Sequence, residues 1–296
     1  MNALPPRDVG LVLVVCVVWA INFLTSAYAL REFPPLLFTG LRMALLAAVL
    51  WPFLKPAAPG QWPRLLGISL GLGVVHFGLS FWALKLAGDL SSVAIVMQSY
   101  VPMSALLAWW LLGERFAWRT GLAIAVSFAG VLVLGFDPLV LDRPAALLLM
   151  LCSAGFLALA TVMMRGLQGQ TPWSQQGWLA LLSVGPLLAL SSLVEGPLTQ
   201  TLPGGTWIGW SGVAYSALVS SLLGHGLYYA LVQRHPVAQV TPWLLLAPVL
   251  AVGLGVAFWG DRPGPELLVG GAMVLGGVLV IALRSWQKAR QAAPTA

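Results

Sequence analysis

Two histidines, His76 and His225, lie in otherwise apolar stretches of the chain. His76 is followed by Ser80 at i+4, while His225 has Ser221 four residues before it and Tyr228 three after, so each shares a helix face with hydroxyl groups. A histidine so placed can bind a substrate, relay a proton or hydrogen-bond across a helix interface, and the pattern leaves these open. Asn22 with Ser26, and Gln98 one turn before Pro102, put polar side chains where a bilayer could not satisfy them. They are expected to face the inside of a helical bundle. Arg42 is the one charge set within an apolar run, at a cost of roughly 2.5–3.5 kcal/mol on insertion scales. It requires a partner: a substrate carboxylate, a gate, or backbone carbonyls.

Pro102 and Pro248 each remove a backbone donor and free an upstream carbonyl, which can border a substrate site or a hinge, or simply kink a helix for packing. Trp62, Trp118, Trp173, Trp207 and Trp286 fit an interfacial belt, but Trp19, Tyr100, Tyr228 and Trp243 lie further in. Aromatic surface with a polar handle suits an amphipathic or aromatic solute. The candidate substrate-contacting set is therefore Asn22, His76, Ser80, Gln98, Tyr100, His225, Tyr228 and Trp243, with Trp19, Arg42, Pro102 and Pro248 as structural or gating residues.

Catalysis finds little support. His225 adjoins Ser220 and Ser221, yet no third group is in view to orient a base, and no Asp or Glu lies mid-span. Cys16 and Cys152 are read as small buried hydrophobes; with three scattered histidines they form no metal-ligand spacing, and no phosphate-binding lysine motif or other cofactor motif is present. No cofactor and no metal are expected.

The elements that must position these residues follow from composition. Hydrophobic residues make up 59% of the 296 positions and charged residues only 8%, with a mean hydropathy of +0.90, which excludes an ordinary soluble domain. Clustered charges separate ten apolar stretches near 9–30, 36–54, 64–86, 90–112, 118–136, 144–165, 176–194, 206–232, 237–259 and 266–284, each about the length of a bilayer core. The net charge of +6 would on a soluble chain raise the question of nucleic acid. Here ten of the 15 Lys and Arg fall on the side of the termini and four on the other. The charge is thus a topology signal that puts both termini in the cytoplasm, and no nucleic-acid partner is expected. Ala27-Tyr28-Ala29 at the end of the first run imitates a cleavage site, but the 22-residue run is long enough to span.

The chain also repeats itself. Leu112-Gly113-Glu114-Arg115 and Trp259-Gly260-Asp261-Arg262 are 147 residues apart, as are Ala129-Gly130-Val131-Leu132-Val133 and Gly276-Gly277-Val278-Leu279-Val280. The same offset aligns Trp82-Ala83-Leu84 with Tyr229-Ala230-Leu231, and a one-residue slip aligns Pro102 with Pro248. Five spans per copy is an odd number, so the copies, 1–140 and 141–296, enter the membrane from opposite sides. Inverted repeats that enclose a midplane site are a transporter architecture. The expectation is an all-α polytopic membrane protein of ten helices around a central cavity, with a small-molecule substrate and the bilayer as its partners. A monomer suffices for this, and the oligomeric state is left open.

These motifs carry a resemblance. Trp19-Ala20-Ile21-Asn22-Phe23, Pro34-Pro35 with Leu41-Arg42, Pro102 and the two Gly-acid-Arg turns resemble the EamA family of the drug/metabolite transporter superfamily, over the whole length and in two copies. Within it the chain is most similar to the YddG-type exporters of aromatic and other neutral amino acids. The resemblance implies inner-membrane localisation, the outward direction of transport and the amino-acid substrate class; drugs or other small solutes on the same fold are the alternative. The chain departs from the usual pattern at Ala20, where Gly is usual, and its second copy has Asp261 where the first has Glu114.

Overall fold

A computed structural model describes residues 4–235 and 237–292. Its long helices are α1 (Pro6–Glu32), α2 (Pro35–Leu50), α3 (Trp62–Ala87), α4 (Ser91–Leu112), α5 (Trp118–Leu134), α6 (Pro144–Met164), α7 (Pro172–Val194), α8 (207–234), α9 (237–259) and α10 (Pro265–Ala292). Single helical turns Pro138–Leu141 and Leu198–Thr201 lie in connections. The boundaries are written in the sequence: Pro6, Pro35, Pro144, Pro172 and Pro265 occupy first helical positions, where a missing N–H costs nothing. Gly88, Gly113 and Gly260 end α3, α4 and α9 with φ of 71°, 67° and 88°, a conformation that suits glycine.

Among the described residues, eight helices are long and apolar enough to cross a membrane, namely α1–α4, α6, α7, α9 and α10, and α5 is a shorter apolar helix. The protein is a polytopic helical membrane protein. Helix α8 is helical throughout 207–234 but is interrupted by more Ser, Gly and Tyr.

The helices pair in a pattern that follows the repeat. Helix α1 lies against α8 and α9, and α6 lies against α3 and α4; α3 meets α7, and α2 meets α8; α2 pairs with α7, and α5 with α10. Each pairing has a counterpart five helices on. The α5–α10 seam is the closest: a methyl group on Gly130 would stand 2.6 Å from the Gly270 carbonyl, and one on Gly277 would stand 2.6 Å from that of Ala123. Only glycine permits such an approach.

Two pairs of interruptions are matched as well, while the π-helical end of α9, Gly255–Trp259, has a regular α-helical counterpart in α4. Helix α3 turns π-helical over Ser69–His76 and α8 over Tyr215–Gly224. Helix α4 breaks at Gln98 and Ser99, and α9 breaks at Leu245. Pro102 and Pro248 each lie three residues after such a break, where the absent proline N–H leaves a carbonyl for other use; Gln98 O accepts from Val101 N–H instead, at 3.1 Å.

Candidate functional site

The π-helical stretch of α8 is the centre of a polar junction. Widening the helix there frees main-chain carbonyls, and side chains from four directions take them up. Ser221 Oγ donates to Ser216 O (2.9 Å), Gln176 Nε2 of α7 donates to Ser221 O (2.9 Å), and Trp19 Nε1 of α1 approaches Ser220 O at 3.4 Å. His225 Nδ1 is 3.2 Å from the same Ser220 O. Arg42 of α2 reaches in as well: its Nη2 donates to Ser221 Oγ at 2.7 Å.

Arg42 is 2% exposed, and no carboxylate lies within ion-pair distance of it among the described residues. Its charge is met by aromatic faces, with the guanidinium 4.4 Å from the Phe77 ring centroid and 5.1 Å from that of Phe81. Its Nε and Nη1 make no hydrogen bond among the described residues, and neither do Gln176 Oε1 and Asn22 Oδ1. These two donors and two acceptors are among the buried polar atoms left over inside the bundle, with the Ser216 hydroxyl of the same π segment. Beside them the Trp19 ring lies 5.2 Å from His225 and 5.9 Å from Tyr228.

The corresponding stretch of α3 is differently finished. Ser153 of α6 donates to His76 O (2.9 Å) and its Oγ lies 2.8 Å from His76 Nδ1, while Ser183 donates to Ser69 O (3.2 Å). His76 Nδ1 is also 3.0 Å from Ser153 O. Neutral bonds to α6 and α7 thus hold both ends of this π segment. Ser80 returns its hydroxyl to Phe77 O at 3.3 Å. Of the residues singled out in the sequence, Trp19, Arg42, His225 and Tyr228 come together at α8, and His76 and Ser80 bond away from it. Gln98 lies in the break of α4 and Tyr100 just after it, both half-buried, Pro102 and Pro248 are buried, and Trp243 is 43% exposed, its carbonyl receiving the Cys16 thiol. Cys152, expected to be buried, is exposed, as a thiol on the outer face of α6.

Gln176, beside Ser174 and Gln175, and Ser153, a lone hydroxyl in an apolar run, are not legible as partners in these junctions, because each finds its partner on a helix distant in sequence. A second set was missed altogether. At the end of the bundle away from the termini, four carboxylates each cap the N-terminus of another helix. Glu32 of α1 accepts from Thr206 N–H and Gly209 N–H before and in α8 (2.8 and 2.9 Å). Glu195 after α7 accepts from Leu36 and Leu37 N–H of α2 (2.8 and 3.0 Å). Asp137 after α5 accepts from Leu267 N–H of α10 (3.1 Å), and Asp261 after α9 takes Leu90 N–H, Ser91 N–H and the Ser91 hydroxyl at α4 (3.0, 2.9 and 2.6 Å). Anions at helix N-termini satisfy orphan donors and oppose the helix dipole. The signal was present as an acid one to three residues beyond a span, next to the proline- or serine-marked start of another.

A many-spanned helical protein whose two halves carry matched helix interruptions is a membrane transporter in class. The comparisons agree. The EamA-like transporter family matches residues 8–136 and again 144–283, and this chain belongs to that family. It is 28% identical to a Salmonella typhimurium protein named "Probable amino-acid metabolite efflux pump", over 93% of this chain and 94% of that one. It is 27% identical to an Escherichia coli K12 protein of the same name, over 96% and 97%. A solved crystal structure superposes with a TM-score of 0.61 at 19% identity, covering 97% of this chain and 99% of that one, a likeness of fold.

Proposed function

We infer that this chain is a secondary transporter that exports small metabolites, aromatic or neutral amino acids foremost, across the inner membrane. In this reading all ten helices span, both termini are cytoplasmic, and the five-helix copies 1–140 and 141–296 are inverted and rock about a central site to give alternating access. The observation that carries the reading is the matched pair of interrupted helices: π segments in α3 and α8, and breaks in α4 and α9, at corresponding positions of the two copies. Broken helices at midplane are how transporters expose main-chain dipoles to a substrate without exposing them to lipid. The names of the two efflux-pump relatives favour amino acids as the class.

Arg42 Nε and Nη1 supply the donors for a substrate carboxylate, and Asn22 Oδ1 and Gln176 Oε1 supply acceptors for its ammonium. Trp19 and Tyr228 flank the side chain, Gln98 and Tyr100 at the break in α4 add further contacts, and His225 orients the aromatic pair. His76, tied to Ser153, serves structure.

Counterflow in proteoliposomes tests this. Vesicles loaded with unlabelled Phe, Trp, Thr, a sugar or a cationic drug are given the matching labelled solute. Transient accumulation of the amino acids, and its loss in Arg42→Gln protein that elutes as a single folded species, is the expected result. Counterflow of the sugar or drug alone, or amino-acid counterflow indifferent to Arg42→Gln, would overturn the substrate assignment.

A further inference from the structure

Glu114 and Asp261 stand at corresponding positions and are presented by the same turn. Gly113 and Gly260 both adopt positive φ, and the next amide reaches back six residues in each case: Glu114 N–H to Ala108 O (3.3 Å) and Asp261 N–H to Gly255 O (3.0 Å). Their side chains then do different things. Asp261 is buried and takes three hydrogen bonds from the start of α4, whereas Glu114 is half exposed and bonds Arg165 at 2.5 Å. The helix around them follows suit. Leu90–Val96 of α4, beside Asp261, is buried at every position, while Trp109–Leu112 of the same helix, beside Glu114, is exposed. Under the 147-residue offset, Leu90 and Ser91 correspond to Val237 and Ala238, which begin the helical segment Val237–Leu244 of α9.

We propose that Asp261 and Glu114 are alternating latches: in the state described here Asp261 caps α4 and closes one end, and in the opposite state Asp261 lets go while Glu114 leaves Arg165 and caps α9 at Val237 and Ala238. The proposal rests on the alternating-access reading and adds to it the bonds that are exchanged. Inverted copies interconvert by trading conformations, so a contact made by one copy at one end predicts the corresponding contact of the other copy at the other end. Each latch is a carboxylate on the orphan N–H groups of a helix start, strong enough to hold an end and short enough in range to release completely.

The two latches are unequal, and the sequence says in which direction. Ser91 adds a hydroxyl bond to Asp261 at 2.6 Å, whereas its counterpart is Ala238. Trp259 adds an indole bond to Gly88 O at 2.7 Å, whereas its counterpart is Leu112. The resting protein is therefore biased towards closure at the Asp261 end.

The test is the rate at which a polar maleimide modifies a single cysteine, Val96→Cys, in detergent-purified protein also carrying Cys16→Ala and Cys152→Ala. Val96 is 2% exposed and lies five residues along α4 from Ser91, which Asp261 holds. Asp261→Asn should accelerate labelling tenfold or more. Ala238→Ser, which adds to the opposite latch the hydroxyl that Ser91 gives this one, should accelerate it severalfold, and adding Glu114→Gln should abolish that gain. Unchanged rates in Asp261→Asn and Ala238→Ser, or a gain in Ala238→Ser that survives Glu114→Gln, would overturn the latches. Counterflow on the same preparations keeps the two readings apart: intact counterflow with unchanged rates removes the latches and leaves transport standing.

Discussion

The two ends of the bundle are fastened by opposite chemistry. At the acidic end, Glu32, Asp137, Glu195 and Asp261 each cross from one half of the chain to the other and cap a helix N-terminus. At the basic end the corresponding crossings use cations, hydroxyls and carbonyls. Arg64 bonds Gly166 O, Ser174 takes Lys55 N–H (2.8 Å), Arg284 Nε donates to Thr120 Oγ1 (3.1 Å), and Glu114 turns aside to Arg165. The asymmetry of Lys and Arg that orients a membrane protein thus has a second effect. It leaves the end poor in Lys and Arg to acids, and acids are the side chains that tie down helix starts. The two family-matched halves of the chain therefore meet at ends fastened by unequal chemistry.

The comparison breaks or holds on measurement. The largest difference is expected for Asp137→Ala against Arg284→Ala. Removing the fully buried Asp137 leaves Leu139 and Leu267 N–H without an acceptor and should cost about 2–4 kcal/mol, whereas the Arg284 bond is worth about 1 kcal/mol. Thermal midpoints in detergent that moved equally would erase the distinction.

A smaller effect comes from pH. Asp89, which caps Ser92 at the acidic end, has its carboxyl pushed up to about 6, first by burial and then by the charges of Asp261 and Asp137, against the pull of the Ser92 bonds. Asp142, Arg143 and Arg262 line the same cleft of about 390 Å3. A carboxyl whose pKa is raised by folding holds its proton better when folded. Its favourable contribution is full below the ordinary value of 3.8 and is lost as pH rises through about 6. The melting temperature should rise on acidification from pH 7 to 5, and Asp89→Asn should flatten that slope; an identical slope in the variant would remove Asp89 from the account.

The least effect is expected for Arg165→Ala. The Arg165–Glu114 pair is half exposed on both sides, so its loss should change stability by well under about 1 kcal/mol. A drop as large as that of Asp137→Ala would mean that the basic end is fastened after all.

Much of this architecture was legible in the chain. The apolar stretches and the prolines at their starts anticipate the helix boundaries, and the 147-residue offset anticipates helix pairings that no local pattern encodes. Trp19, Arg42, His225 and Tyr228 were recognisable because polar or amphipathic groups are conspicuous in apolar surroundings. The π segments were not, since a switch from i+4 to i+5 bonding costs little and leaves no mark in Ser69–His76 or Tyr215–Gly224 beyond small and hydroxylated residues. Gln176 was hidden for a related reason: its position at the start of α7 looks interfacial until α2 and α8 close around it. The carboxylate caps are hidden because charge at span ends carries topology as an average over a loop, whereas capping depends on one atom reaching one amide.

The α5–α10 seam has a consequence of another kind. Ser127 donates to Val274 O at 3.4 Å, and these two residues are themselves 147 apart. A residue that touches its own counterpart lies on the axis relating the copies, which in an oligomer would make the contact isologous. This seam is therefore what a dimer interface between two half-length chains would look like after their genes had been joined. Any enlargement of Gly130 or Gly277 in such a half-length chain would have been felt twice, once on each side of the axis.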